Sequence, residues 1–503
     1  MKKYVTYFLI FLPFILFAQN KEEDNNNTYK KRVLENVEVD ILTSFYAQDG
    51  DNAAVTGGIG SENLKDIAAN INISIPLNAD DVFTFDATIS DYTSASSSNL
   101  NPFYKEGGRN GNDDNDDDDR RPQNKTIWNA KTAASSGNNG TGATIGTPWS
   151  ASSGASKTDI WASGTLGYSH SSDDRDNIYN AHLSFSAEFD YTSVGLGLGI
   201  TKLFNQKNTE FGLKGNVYFD TWNPQYPTEI KTYIKTGGNL NRDFFNGIDI
   251  LDQNGIPTDK TSNNTWKPIH NSFIDNKGRN TYSLSLSFSQ ILSKKLQISI
   301  FSDIVMQKGW LANPMQRVYF ADRPNYYVGR ASDIPNYTNY KNQGVFQLAD
   351  DYERLPDNRL KIPFGARLHY YINEFIVFKT YYRYYSDDWN IKSHTLNFEL
   401  PIKISEKYTL YPNYRFYNQT AAKYFADYEQ HNSTSSFYTS DFDLSKYNAN
   451  QFGIGIKYTD IFTKKKVWKF GFKNWSLNYN YYKRNTGLYA HIISFGTKFV
   501  LDK

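Results

Sequence analysis

From Thr281 to Leu292 the chain reads TYSLSLSFSQIL, alternating Tyr282, Leu284, Leu286 and Phe288 with Ser283, Ser285, Ser287 and Ser289. Successive side chains of a strand point to opposite faces, so this stretch makes one apolar row and one row of small hydroxyls. The pattern recurs. DIAANINISI (66–75) sets Ile67, Ala69, Ile71, Ile73 and Ile75 against Ala68, Asn70, Asn72 and Ser74. VFTFDATIS (82–90) repeats it with Phe83, Phe85, Ala87 and Ile89, while VGLGLGI (194–200) and FGIGIKY (452–458) put glycine on the second face. Soluble sandwiches also alternate, but their solvent face carries many charges. Here the second face is Ser, Gly, Thr and Asn with an occasional Lys or Arg. A wide barrel, wet inside and lipid-covered outside, explains that choice.

Composition narrows the field further. A mean hydropathy of −0.63 is too polar for a helical membrane protein, and 16% aromatics is too many for a disordered chain. No later segment reaches the roughly 18 apolar residues of a membrane helix. A closed barrel can still span a membrane, because every backbone N–H and C=O is paired between strands. The absence of cysteine excludes a disulfide framework, thiolate catalysis and zinc–thiolate sites.

MKKYVTYFLIFLPFILFAQN opens with two lysines and an apolar run ending at Ala18, which predicts a signal peptide over residues 1–18. Residues 19–32 then form a short periplasmic segment, with no room for a plug domain, and 33–503 the barrel. Removing Lys2 and Lys3 takes the formal charge from +1 to −1, which argues against a nucleic-acid partner. Very short connections (77–81, 293–295, 373–374, 405–407, 463–466) alternate with long polar ones near 94–159, 223–279, 312–358 and 426–449. Short periplasmic turns and long outer loops have that arrangement. The expected fold is all-β, a transmembrane antiparallel barrel of about sixteen strands, with fourteen the alternative because 160–204 is hard to divide.

YYRYYSDDWNIKSHTL (381–396) places a carboxylate, a hydroxyl and an imidazole close together. Ser393 and His394 are adjacent in a strand, so they point to opposite faces and cannot share a hydrogen bond easily. The stretch therefore reads as a hairpin tip, with Tyr382, Tyr384 and Trp389 in the outer aromatic girdle. Two similar pairs, His491 with Ser494 and His182 with Glu188, are either on opposite faces or too far apart. The chain is expected not to be an enzyme. RYYSDDWNIKSHTL with YPNYRFYNQTAAKYF (411–425) resembles a family of bacterial outer-membrane barrels catalogued only as a domain of unknown function. EFDYTSVGLGLGITKLFNQKNTEF (188–211), DILTSFYAQDG (40–50), VTGGIGSENL (55–64) and LPDNRLKIPFGARLHYYI (355–372) are similar to further segments of it. The resemblance implies a porin-sized barrel in the outer membrane and brings no established activity. Family members are often encoded near a flavin transferase and a thioredoxin-like protein, which implies a redox or flavin connection.

The alternation places Arg367, Lys379, Arg383, Lys469, Lys473 and Lys498 on the lumen, against fewer carboxylates, chiefly Glu188, Asp190 and Glu399. A basic lining of this kind favours anions. The competing expectation is that these charges pair with one another or with lipopolysaccharide phosphates. In NGNDDNDDDDRR (110–121), Asp113, Asp114, Asp116 and Asp117 are candidate calcium ligands. Their spacing matches no EF-hand, and a like-charge run in a glycine-rich setting reads as a solvated loop. LDQNG (251–255) carries only part of a calcium-loop pattern. No cofactor is expected. ISFGTKFVLDK places Phe495, Phe499 and Leu501 on one face, resembling the closing strand that barrel-assembly machinery recognises. The expected role is a pore or transport component for small, possibly anionic, solutes. The alternative is a structural or partner-binding protein serving a periplasmic or surface complex.

Overall fold

A computed structural model describes residues 31–93, 158–342, 344–460, 462–463 and 465–501; the leader and the calcium candidates at 113–117 lie outside them. The wall is built from β1 (Val37–Asp49), β2 (Leu64–Pro76), β3 (Asp81–Thr93), β4 (Thr158–Ser171), β5 (Asn177–Ala187) and β6 (Tyr191–Phe204). It continues with β7 (Thr209–Trp222), β8 (Gly278–Ser293), β9 (Leu296–Gly309), β10 (Asn358–Tyr371) and β11 (Val377–Asp387). The last five are β12 (Lys392–Glu399, resumed at Ile402–Lys403), β13 (Tyr408–Gln419), β14 (Tyr447–Thr459), β15 (Phe470–Arg484) and β16 (Tyr489–Leu501). Each pairs antiparallel with the next, and β1 pairs with β16 along its whole length, from Val37 opposite Leu501 to Asp49 opposite Tyr489. The sheet closes on itself at sixteen strands, and the 160–204 region contributes three of them.

The register explains the alternation. Leu213 lies opposite Ile200 on one side and Leu286 on the other, while Asn216 lies opposite Gly197 and Ser283. The first set is exposed on the outer surface, as are Leu196, Leu198, Tyr282, Phe288, Ile454 and Phe495. Bare apolar side chains in such a continuous band require hydrocarbon around them, and a closed β-barrel carrying that band is an outer-membrane protein. Two departures from simple alternation have local causes. Strand β12 breaks at Pro401, which has no N–H to give the ladder. Strand β15 shifts register between Phe472 and Asn474, so the extra residue, Lys473, points inward while Trp475 and Leu477 face out.

Connections at the periplasmic end are brief. Those at the outer end include 50–63, 223–277, 310–357 and 420–446, and these fold together. They carry a helix, α1 (Thr228–Lys235), a three-stranded sheet (Ile250–Leu251, Tyr327–Gly329, Val345–Gln347) and a pairing of Arg317–Val318 with Asp351–Tyr352. Their shared core includes Ile230, Phe245, Trp266, Val328, Phe346 and Tyr352, and Trp266 donates Nε1–H to Ala349 O at 2.9 Å. Gly57 shows how close the packing is. Its φ is +79°, and an added Cβ would sit 2.6 Å from the Tyr319 ring. Gly57→Ala is expected to loosen these loops by about 1–3 kcal/mol. Limited proteolysis should cut the loops faster while the wall stays resistant, and an unchanged digestion rate would contradict the packing described.

Candidate functional site

Sixteen strands about 4.8 Å apart and tilted about 40° enclose a backbone cylinder roughly 30 Å across, wide enough for an aqueous channel. The connection after β1 and the connection after β9 are eight strands apart on a ring of sixteen, so they leave the rim at opposite points. They nevertheless touch: Arg317 donates Nη1–H to Val55 O at 2.9 Å. The outer loops thus cross the mouth as a lid. At its centre Arg317 grips Glu229 through two bonds, Nε to Oε1 at 2.7 Å and Nη2 to Oε2 at 3.1 Å. Both side chains are buried, and Phe346 lies against the guanidinium at 5.0 Å.

The lid holds further carboxyl groups away from water. Burial pushes Asp350 up to about 7, although Phe320 N–H donates to it and Arg323 stands 3.3 Å away. Burial pushes Glu353 up to about 8, with Asp441 nearby adding repulsion and Asn313 N–H donating at 2.6 Å. Glu62 is raised to about 7 by burial, against the pull of Arg484. Asp441 is raised by burial and by Asp443. His270 Nδ1 meets the buried Asp351, which also accepts from the Tyr438 hydroxyl. A buried acid under an imidazole is half of a catalytic arrangement. Among the described residues, however, no serine or threonine hydroxyl bonds to His270, and the pair ties 223–277 to 310–357 and 420–446.

Below the lid, the inward wall carries the expected lysines and arginines with one exception. Lys379 meets Glu399 at 3.0 Å, Lys473 meets Glu38 at 2.9 Å, and Lys498 meets Glu38 at 2.8 Å and Asp40 at 3.1 Å. Those three cations are neutralised in place. Arg367 and Arg383 face inward with no carboxylate in ion-pair range among the described residues. Lys469 is a correction: it sits in the turn before β15, beyond the wall, with Nζ 5.7 Å from the Trp468 ring. The cause is local, since the periplasmic turn extends to residue 469. Glu188 and Asp190 stand at the outer rim between β5 and β6, where Tyr92 donates to Glu188 and Trp222 donates to Asp190 at 3.0 Å.

Tyr382 faces outward and shares a 2.8 Å hydrogen bond with His394, whose ring also lies 5.2 Å from Tyr384. Tyr479, Tyr481 and His491 repeat that trio on β15 and β16. Both imidazoles therefore lie on the outward face, beside the girdle candidates. Trp389, expected there, is a second correction. It is 3% exposed, packs with Ala312 and Leu355 of the lid, and stacks under Arg359 at 4.2 Å. The Arg359–Asp387 ion pair holds the hairpin tip inward, which the sequence did not indicate. A surface hollow of about 440 Å³ is lined by Leu196, Leu198, Val217, Tyr282, Leu284 and Ile304 on the outward face. A smaller one of about 230 Å³ lies at the rim among Trp161, Glu188, Asp190, Trp222 and Arg279.

A family model described as Protein of unknown function (DUF3570) matches residues 9–494. No curated protein matches the sequence. Among solved structures, a bacterial polysaccharide outer membrane secretin aligns over 95% of this chain and 100% of its own, at 8% identity and a TM-score of 0.39. The TodX deltaS2S3 mutant monoaromatic hydrocarbon channel aligns over 94% and 91%, at 9% identity and 0.37. OpdK from Pseudomonas aeruginosa, with vanillate, aligns over 93% and 99%, at 8% identity and 0.32.

Proposed function

We propose that this chain, which belongs to the DUF3570 family of proteins of unknown function, is a solute pore of the outer membrane whose external mouth is closed by its own loops. The observation that carries this reading is the inward wall below the lid. It is largely small and polar, with Gly195, Gly197 and Gly199 beside Ser184, Asn216, Ser283 and Ser285, and with Tyr218 and His182 lying over the first two glycines. A barrel serving only as a scaffold has no need of a wall sixteen strands wide lined by polar side chains.

Neutralisation of Lys379, Lys473 and Lys498 tempers the anion preference and leaves it to the inward cations without a carboxylate partner, Arg367 and Arg383 among them. The test is conductance in planar bilayers. Wild type should be largely silent, and a variant with 311–356 replaced by a short Gly-Ser turn should conduct in steps and pass chloride more readily than potassium. If the shortened variant folds and stays silent, the pore reading is lost.

One observation favours a second reading, a periplasmic partner. The turn between β14 and β15 exposes Phe462 (76%) and Trp468 (81%) beside Lys465, Lys466 and Lys469. Site-specific photo-crosslinking from position 468 in intact cells should capture one discrete periplasmic protein. Labelling of lipid alone would assign these rings to the inner girdle and end that reading.

A further inference from the structure

We infer that Arg367, Arg383 and Arg415 form a binding face for small organic anions that carry a planar ring, such as aromatic carboxylates, on the lumen wall behind Tyr382 and Tyr384. The inference rests on the pore reading and names its solute class. Arg367 on β10, Tyr381 on β11, Asn397 on β12 and Arg415 on β13 are successive cross-strand partners, so they form one lateral row. Three strand spacings of about 4.8 Å put the two arginine backbones about 15 Å apart. Arg383 lies one inward position further out on β11, beside Thr395. An anion with a ring, roughly 7 Å long, can therefore reach two guanidinium groups at once.

Three observations single out this face. First, Lys379, Lys473 and Lys498 are paired with carboxylates, whereas among the described residues nothing accepts from the three guanidinium groups, and these are clustered where the inward Lys214, Lys361 and Lys457 stand on separate strands. Each has five N–H donors in a rigid fork, the geometry that matches a carboxylate with two parallel bonds. Second, the aromatic surface is ordered. Phe301 and Tyr381 stack at 5.7 Å and 12°, with Arg367 5.2 Å from one ring and 5.6 Å from the other, and Tyr385 lies 5.6 Å from Arg383. Gly365 makes this possible, because a Cβ there would collide with the Phe301 ring. Third, the opposite wall carries the other sign. Asp86 on β3 stands eight strands from β11, held by Asn70 and Asn72 at 3.1 Å each. A field across the bore drives an anion toward the arginines and leaves its ring against Phe301 and Tyr381.

The test is isothermal titration of the full-length protein in detergent with benzoate, acetate and benzylamine. Benzoate should bind saturably, acetate at least tenfold more weakly, and benzylamine not at all. Arg367→Gln and Arg415→Gln should each weaken benzoate at least tenfold, and Phe301→Leu should narrow the gap between benzoate and acetate. Unchanged circular dichroism confirms that each variant keeps its barrel. No saturable benzoate binding, equal binding of benzylamine, or arginine variants that bind like wild type would each overturn the inference. Failure here is distinct from failure of the pore. A shortened-lid variant that conducts without binding benzoate removes only this site, and one that binds benzoate without conducting removes only the channel.

Discussion

Glu229→Gln is expected to turn a closed barrel into a conducting one. The carboxylate lies wholly inside the lid and is the only ion-pair partner of Arg317 among the described residues. Neutralising it leaves a guanidinium buried without its counter-charge, which in protein interiors costs about 3–5 kcal/mol. That cost falls on the closed lid alone, because Arg317 in an opened loop is hydrated. A shift of that size moves the balance between shut and open mouths by about 10²–10⁴-fold. Frequent openings in single-channel records should replace rare ones. Replacing both partners, Glu229→Leu with Arg317→Met, makes the argument specific. Apolar groups of similar volume remove both desolvation costs and keep the packing against Phe346, so the double variant should be nearly as quiet as wild type. If the single and double variants conduct alike, the ion pair is not what holds the loops across the rim.

How far this arrangement could be read in advance depends on what kind of order each part has. The wall was legible because a strand between lipid and water must alternate with period two. Residues such as Leu284 and Ser285 announce their faces without reference to any partner. The count of sixteen followed from the same rule. What period two cannot supply is partnership across the chain. Glu38 neutralises Lys473 and Lys498, more than 400 positions away, and only ring closure brings β1 beside β15 and β16. Lys473 kept its inward face through a bulge, and the turn that removes Lys469 from the wall likewise leaves no mark on the pattern. The lid was least legible of all. Its buried members, Trp266, Arg317, Glu229 and Tyr438, come from segments without periodicity and rich in Asn, Asp, Gly and Pro, which read as solvated loops. A denser run of aromatics than solvent-facing loops need, as in Tyr319, Phe320, Tyr326 and Tyr327, was the one available signal.

Raising the pH from about 5 to about 8 should loosen the lid. Glu353, Asp350 and Glu62 are held above their ordinary values of 4.5, 3.8 and 4.5, at about 8, 7 and 7, with burial the leading cause for each. Between the ordinary and the raised value the closed lid keeps a proton that the opened, hydrated loop gives up. Closure is therefore fully favoured below the ordinary carboxylate range. It weakens as pH climbs toward the raised values, where the closed form must either bury charge or open. Each retained proton is worth a few kcal/mol, on the order of 1.4 kcal/mol per pH interval of one. The groups facing these acids set the balance. Arg323 beside Asp350 and Arg484 beside Glu62 favour ionisation, while Asp351, Asp441, Asp443 and Glu429 oppose it, and Glu353 has only Asn313 N–H and Thr439 to support a charge. The largest pH sensitivity should thus reside in Glu353. Glu353→Gln is neutral at every pH and can still accept from Asn313 N–H, so it should flatten the profile near pH 8 while leaving acidic behaviour close to wild type. Conductance and loop proteolysis measured from pH 5 to 8.5 should rise together in wild type. Openings that become rarer with rising pH would mean that Arg323 and Arg484 hold the ionised Asp350 and Glu62 in the closed lid strongly enough to outweigh Glu353, which has no cation beside it among the described residues.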